Sequence, residues 1–350
     1  MSWFSLDAVD GALQRTKSTL FEPFRFWKWI KLGIIILLLG GSGGGGPNFS
    51  NPSQQYAGEE PGWVQDFQNF DEMASQFLQE YLLFILLGVF FFVGLILLFS
   101  YISNVMEFVF VNSLVTGTVA FWQYSRQYLR QGFHLFIIRF VLGLIFLLLI
   151  IAAMLPVLLP VLNSLDTIEN LDVGMFFGGI LMFLGVLFIL AIISGIIQSF
   201  INLSIPLAMY QDMGIIAAFR VVFGRFKADW GQIIVYWFVR FFLRLVAGII
   251  VFIIALILFL VLFGIFAVLG LGLYLLLTSG AGLGADDAMF WVVMVPFGIV
   301  AFIVMIIFAL LVSVPVPVFM KYHMLTFLES WYPESGIPFN NMDIPDHLQV

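Results

Sequence analysis

The chain has 350 residues, of which 62% are hydrophobic and only 10% are charged, with a formal net charge of −7. Soluble domains are about half apolar and about a quarter charged, so this composition and a mean hydropathy of +1.09 exclude a soluble globular protein. Cysteine is absent and histidine occurs only three times, which excludes disulfides, thiolate catalysis and cysteine-ligated metals.

The N-terminal segment predicts an amphipathic helix ahead of the first apolar run. Leu6, Val9 and Leu13 recur at helical spacing, and Ser5 is a suitable N-cap residue. We predict that this helix lies in the inner interface of the membrane. Packing on the cytosolic floor of the helix bundle is the alternative.

Long apolar segments follow, and about 20 apolar residues suffice to cross the hydrocarbon core as a helix. Because the runs are continuous rather than alternating, they exclude barrel strands. We therefore predict an all-α, polytopic membrane protein with six spans, the first of them short. The predicted spans are 24–41, 81–100, 140–162, 173–202, 245–277 and 288–320, within a membrane domain of residues 1–330 that a polar tail, 331–350, follows.

The charges predict the orientation of these spans. If 24–41 crosses the membrane, all 14 Lys and Arg residues lie on one face, and the opposite face has acidic residues and no basic ones. The positive-inside rule then places both termini in the cytoplasm, in the plasma membrane of a prokaryote. A glycosylation sequon at Asn48 would face outward.

Aromatic and basic residues recur ahead of alternate spans, at 117–133 and 214–230 as well as near the N-terminus. The order of elements predicts three parallel, hairpin-like repeats of roughly 105 residues, each with an interfacial helix, a span, an outer loop and a returning span. The basic residues of these helices are candidate contacts to anionic lipid headgroups. They are Arg15, Lys17, Arg25, Arg126, Arg130, Arg220, Arg225 and Lys227.

Polar side chains at the inner ends of two spans form the other candidate site. Gln198 and Asn202 are four residues apart and share one helix face, as do Asn104 and Glu107, three apart, with Asn112 following. Polar groups are costly in lipid and often mark a pathway. Alternatively, the amides bridge neighbouring helices and contribute only packing energy.

Motifs for catalysis are missing from the sequence. The glycine-rich run at 40–46 lacks the Lys-Ser/Thr of a phosphate loop, and neither HExxH nor GxSxG occurs. We therefore predict no catalytic residue, no metal ligand and no cofactor. The central parts of the spans contain no acid, base or histidine, which argues against a proton relay.

Three consecutive segments, LDAVDGAL, FRFWKWIKL and GGSGGGGPN, resemble an uncharacterised archaeal integral-membrane family. Six spans with amphipathic helices ahead of them resemble, more loosely, the membrane domain attached to some glycerophosphodiester phosphodiesterases. The phosphodiesterase barrel itself is missing from this sequence, so the resemblance does not imply that activity. Neither family supplies a functional residue to transfer.

These observations together lead us to expect a non-enzymatic membrane protein. It would engage anionic lipid headgroups of the inner leaflet, or organise a membrane-protein partner, and it would not bind nucleic acid. A transporter or permease-like component for a neutral or amphiphilic solute is the alternative, and an intramembrane enzyme is the third possibility. The sequence leaves the lipid or solute and the oligomeric state open.

Overall fold

The computed structural model describes residues 3–40, 63–163 and 173–339, and within these ranges the regular elements are all helical. The predicted sequon at Asn48 lies outside the described residues. The α-helices are α1 (Phe4–Leu20), α2 (Phe26–Leu38), α3 (Trp63–Val115), α4 (Phe121–Asn163), α5 (Val173–Tyr210), α6 (Ile215–Ala228), α7 (Trp230–Leu275), α8 (Ala288–Ser313) and α9 (Pro315–Trp331).

Five segments of these helices are long and apolar enough to cross a membrane, as the sequence predicts. They are Tyr81–Val115, Phe121–Leu158, Phe177–Tyr210, Trp230–Gly280 and Ala288–Trp331. The predicted span at 24–41 forms only the 13 residues of α2. At 1.5 Å per residue this helix measures about 20 Å, which is shorter than a hydrocarbon core of roughly 30 Å.

The packed core lies at one end of these helices rather than along them. At most 11% of the residues in the most apolar window of each span are buried. Buried residues instead cluster in the last turns of α3 and α5 and in α9, where Phe108, Leu203 and Leu325 are fully buried. Lipid solvates apolar side chains as well as a protein interior does, so spans need little packing along their length.

Helix α9 occupies the centre of this core, and α1 packs along it. Thr19 and Tyr322 share a 2.6 Å hydrogen bond between their hydroxyl groups, while Ala8 and Ala12 let the two helices approach closely. The structure therefore places α1 on the floor of the bundle, the alternative that the sequence left open. Its other face leaves Leu13 59% exposed.

The three predicted interfacial helices are not built alike. Helix α6 is separate from α7, but the segment 117–133 has no helix of its own. Helix α4 begins at Phe121 and continues without a break into the span, because no proline separates the two parts and the helix accommodates Gly132. The predicted threefold repeat is therefore not confirmed.

The described part of the predicted tail packs against the core. Ile337 and Phe339 contact its edge, and the guanidinium carbon of Arg15 lies 3.6 Å from the ring centre of Phe339. Gln211 donates a hydrogen bond of 2.7 Å to the carbonyl of Glu334. The described residues of the tail therefore pack on the helical core.

A close approach between α3 and α4 provides a test of this packing. A Cβ atom at Gly132 would lie 2.9 Å from the Cα atom of Val105, so a side chain there would force the helices apart. We expect Gly132→Ala to lower the free energy of unfolding by about 1–3 kcal/mol through overpacking. The measurement is the thermal unfolding midpoint of the detergent-purified chain. Gly94→Ala is the matched control, because a Cβ atom at Gly94 meets no atom within 4 Å; equal midpoints for both variants would contradict the contact.

Candidate functional site

Three of the predicted polar residues meet around Arg139 of α4. Its guanidinium donates hydrogen bonds of 2.8 Å to Asn104 of α3 and 3.0 Å to Asn202 of α5. With its amide oxygen turned towards Arg139, Gln198 accepts two more, at 2.9 and 3.1 Å. Asn112 is also buried, but it does not line the cavities that adjoin this cluster.

Glu107, the remaining residue of the predicted polar set, forms ion pairs with two cations. One carboxylate oxygen is bound by the ammonium of Lys321 on α9, and the other lies 3.7 Å from the guanidinium of Arg139. The side chains of Glu107 and Lys321 are 13% and 8% exposed. Charges so far from bulk solvent are stable only when paired and hydrogen-bonded, so this network joins α3, α4 and α9.

Two further arginines, Arg240 and Arg244 on α7, complete the cluster. They are four residues apart and share one helix face. Arg240 donates hydrogen bonds of 2.6 Å to the hydroxyl of Tyr236 and 3.4 Å to the carbonyl of Met320. Both acceptors are neutral, so neither balances the charge of Arg240.

Sequence reasoning missed four basic members of the cluster: Arg139, Arg240, Arg244 and Lys321. It treated them only as markers of orientation. A signal was present, because Arg139 and Arg244 immediately precede predicted spans and Lys321 immediately follows one. Antiparallel spans of similar length bring their inner ends to one level, where such residues can meet.

Three adjoining cavities border these side chains, and we call them together the basic chamber. Their volumes are about 220, 1260 and 430 Å³. The first two share Asn202, Arg240 and Arg244, and the last two share Arg139 and Gln198. Among the residues lining the chamber, the ionisable acids and bases are Glu107, Arg139, Arg240, Arg244 and Lys321.

The basic chamber is therefore suited to an anion. Four cationic side chains face one carboxylate, and both oxygens of that carboxylate are already paired. Guanidinium groups bind phosphate and carboxylate oxygens through paired N–H donors. Within the described ranges, no group of three His, Asp or Glu side chains is placed to hold a metal ion.

The predicted headgroup contacts lie elsewhere, and all but one are exposed. The exposed ones are Lys17, Arg25, Arg126, Arg130, Arg220, Arg225 and Lys227. Arg15 is the exception, because its side chain is 7% exposed and bonds to Glu329 at 2.9 Å and to Thr326 at 2.9 Å. Arg15 therefore stabilises the contact between α1 and α9, and the other seven residues are the ones exposed at the surface.

Removing the carboxylate of Glu107 tests the ion-pair network. Glu107→Gln leaves Lys321 and Arg139 buried without a counter-charge, and we expect a loss of about 3–5 kcal/mol in the free energy of unfolding. Adding Lys321→Met to this variant should restore part of the loss, because one unpaired charge is then removed. The readout is again the unfolding midpoint. Glu22→Gln, in a pair with Lys17 whose side chains are both more than half exposed, is the control and should change it little. A loss no larger than this control would contradict the network.

Comparison with known proteins gives a single finding at the level of the family. No curated protein and no solved structure matches the chain. The model of a family of unknown function, DUF7544, matches residues 3–337. This match agrees with the expected membership of an uncharacterised family and provides no link to glycerophosphodiester phosphodiesterases. Because the match covers nearly the whole chain, the protein belongs to the DUF7544 family.

Proposed function

We propose that this protein is a non-enzymatic integral membrane protein that binds anionic lipids at the inner face of a prokaryotic plasma membrane. The observation that carries the proposal is the placement of exposed aromatic residues beside exposed basic ones where helices begin. On α4, Trp122, Arg126, Arg130 and Phe133 follow one another at spacings of three or four residues. Trp122 is 76% exposed and Phe133 is 51% exposed.

The same arrangement occurs on α6. Ile216, Arg220, Phe223 and Lys227 lie on one face at helical spacing, and all four are exposed. The ammonium of Lys227 lies 5.0 Å from the ring centre of Phe223. Near the start of α2, the exposed Trp27 lies two residues after the exposed Arg25.

The physical reason is that the two residue types favour the same depth. Tryptophan rings, which have a polar edge, prefer the boundary between headgroups and hydrocarbon, and exposed phenylalanine rings are more favourable in the adjoining hydrocarbon than in water. Basic residues near an anionic membrane surface gain about 1 kcal/mol each. Exposed aromatic and basic residues occur together near the starts of α2, α4 and α6, which supports contact of these segments with anionic lipid at the inner interface.

Lipid preference can be measured on the full-length chain in phosphatidylcholine bilayers. Spin-labelled phosphatidylglycerol or phosphatidylcholine reports, by electron paramagnetic resonance, which lipid associates with the protein. We expect phosphatidylglycerol to be preferred at low salt and the preference to fall at high salt, where charges are screened. Removing two exposed charges with Arg126→Gln/Arg130→Gln should lower the preference, since each lost basic residue removes about 1 kcal/mol of attraction to an anionic surface.

The control for this experiment keeps every charge. Gln123→Ala/Gln127→Ala changes two exposed polar residues of the same helical segment, and we expect the lipid preference to stay at its original value. Equal association of the two lipids with the unmodified chain, at low salt, would disprove the proposed function.

We also propose six spans with both termini in the cytoplasm. Helix α1 packs at the inner ends of the bundle, whereas α3 begins at Trp63, 52 residues before its inner end at Val115. This arrangement supports a crossing between α1 and α3, and α2 lies between them in the sequence. Contact of Gly33 with Leu310 of α8 supports the placement of α2 among the spans.

Cysteines introduced one at a time test this topology. The chain contains no native cysteine, so no other thiol would react with the labelling reagent. We expect cysteines at Ser50 and Ala285 to react with an impermeant reagent in intact cells. A cysteine at the exposed Gln14 of α1 should react only after permeabilisation. Equal reactivity of the Gln14 and Ser50 positions in intact cells would show that the chain does not cross between them.

A second candidate function is that of a transport component for an amphiphilic solute. The convergence of Asn104, Gln198 and Asn202 on the basic chamber favours it, because these polar groups face a cavity instead of separate lipid surfaces. The excess of positive charge favours an acidic amphiphile over a neutral solute. An enzymatic role receives no such support, since both oxygens of Glu107 are engaged in ion pairs.

A further inference from the structure

We infer that the basic chamber binds the phosphate group of a single anionic lipid, with Arg240 and Arg244 as its ligands. The acyl chains would lie along the apolar wall that α4 and α5 form. This inference rests on the proposed function in one respect, namely that the ligand is an anionic lipid of the membrane. The site itself is separate from the exposed aromatic and basic residues of α4 and α6.

The first argument is the charge of the chamber. Glu107 is the only carboxylate among its lining residues, and its two oxygens hold Lys321 and Arg139. The hydrogen bonds of Arg240 go to a phenol and a backbone carbonyl, neither of which carries a charge, and the nearby Glu107 already pairs with two other cations. A guanidinium in a partly desolvated site is stabilised by an anion that displaces its remaining water.

The second argument is the geometry of the two arginines. Arg240 and Arg244 lie one turn apart on α7, and side chains at this spacing are neighbours on the helix surface. Both line the 220 Å³ cavity and the 1260 Å³ cavity, so a phosphate between these two spaces would be within reach of both groups. Two guanidinium groups on one helix face suit a phosphate, because phosphate oxygens accept the paired N–H bonds that this group donates.

The third argument is the shape and chemistry of the largest cavity. One end has Arg139, Gln198 and the two arginines of α7, while the wall away from them is apolar. That wall consists of Leu142, Phe146 and Ile150 of α4 together with Leu187, Leu190 and Ala191 of α5. A cavity with polar groups at one end and apolar side chains at the other matches a ligand with a charged head and a hydrocarbon chain. A free phosphate ion would make no use of the apolar wall.

The full-length chain in detergent provides the test. The probes are dioleoyl phosphatidic acid, dioleoyl phosphatidylcholine and inorganic phosphate, and native mass spectrometry counts the lipid molecules retained per chain. We expect one phosphatidic acid molecule to be held more tightly than any other. Arg240→Gln/Arg244→Gln should weaken that molecule's binding about ten-fold or more, since it removes charged hydrogen bonds.

The matched control is Arg220→Gln/Arg225→Gln, which removes two exposed arginines of α6 outside the chamber. It should keep the tightly held lipid, although it would lower the general preference for anionic bilayers. Equal loss of binding in both double variants would overturn the site and leave the surface proposal standing. Retention of phosphatidylcholine as tight as that of phosphatidic acid would also overturn it.

A second variant tests the apolar wall and does not disturb the charges. Ala191→Phe places a ring in the large cavity and should displace the lipid without removing a contact of the fold. Ile189→Phe, two residues earlier and on nearly the opposite helix face, is its control. Unchanged lipid retention in Ala191→Phe, or thermal stabilisation by inorganic phosphate equal to that by phosphatidic acid, would overturn the lipid assignment.

Discussion

The ion pairs of the Glu107 carboxylate are the interaction on which the arrangement of the helices at the packed end of the bundle depends. This carboxylate is the only acidic group between residues 81 and 163, and it pairs with basic residues of two other helices. Because these ion pairs are largely buried, moving any of these helices by one turn along its axis would leave a charge without its partner. Arg139 then carries the constraint to α5, because its remaining donors bind Asn202 and Gln198.

The molecule consists of two regions that differ in how their side chains are surrounded. Around Glu107 the helices are packed and hydrogen-bonded, with α9 almost completely enclosed. Farther from Glu107 the same helices present apolar side chains that lipid can solvate, such as Phe90 with 81% exposure. The basic chamber lies between these two regions. A ligand in it can therefore contact hydrogen-bonded polar groups and apolar side chains at the same time.

The parts of this structure that follow a local pattern could be predicted from the sequence, and those that depend on distant contacts could not. The five long spans follow from apolar length, and Asn104, Glu107, Gln198 and Asn202 stood out because polar groups are rare there. Lys321 did not, since a basic residue at the inner end of a span is expected for orientation alone. The burial of α9 was also hidden, because its main partner, α1, lies more than 300 residues away.

The position of α9 has a consequence for biosynthesis. It contacts α1, which is synthesised well before it, since Arg15 and Glu329 are 314 residues apart in sequence. The ion pair between Glu107 and Lys321 likewise joins residues 214 positions apart, so it forms only after the segment that contains Lys321 has been synthesised. The packed core around α9 is therefore completed after α3, α4 and α5 have been synthesised.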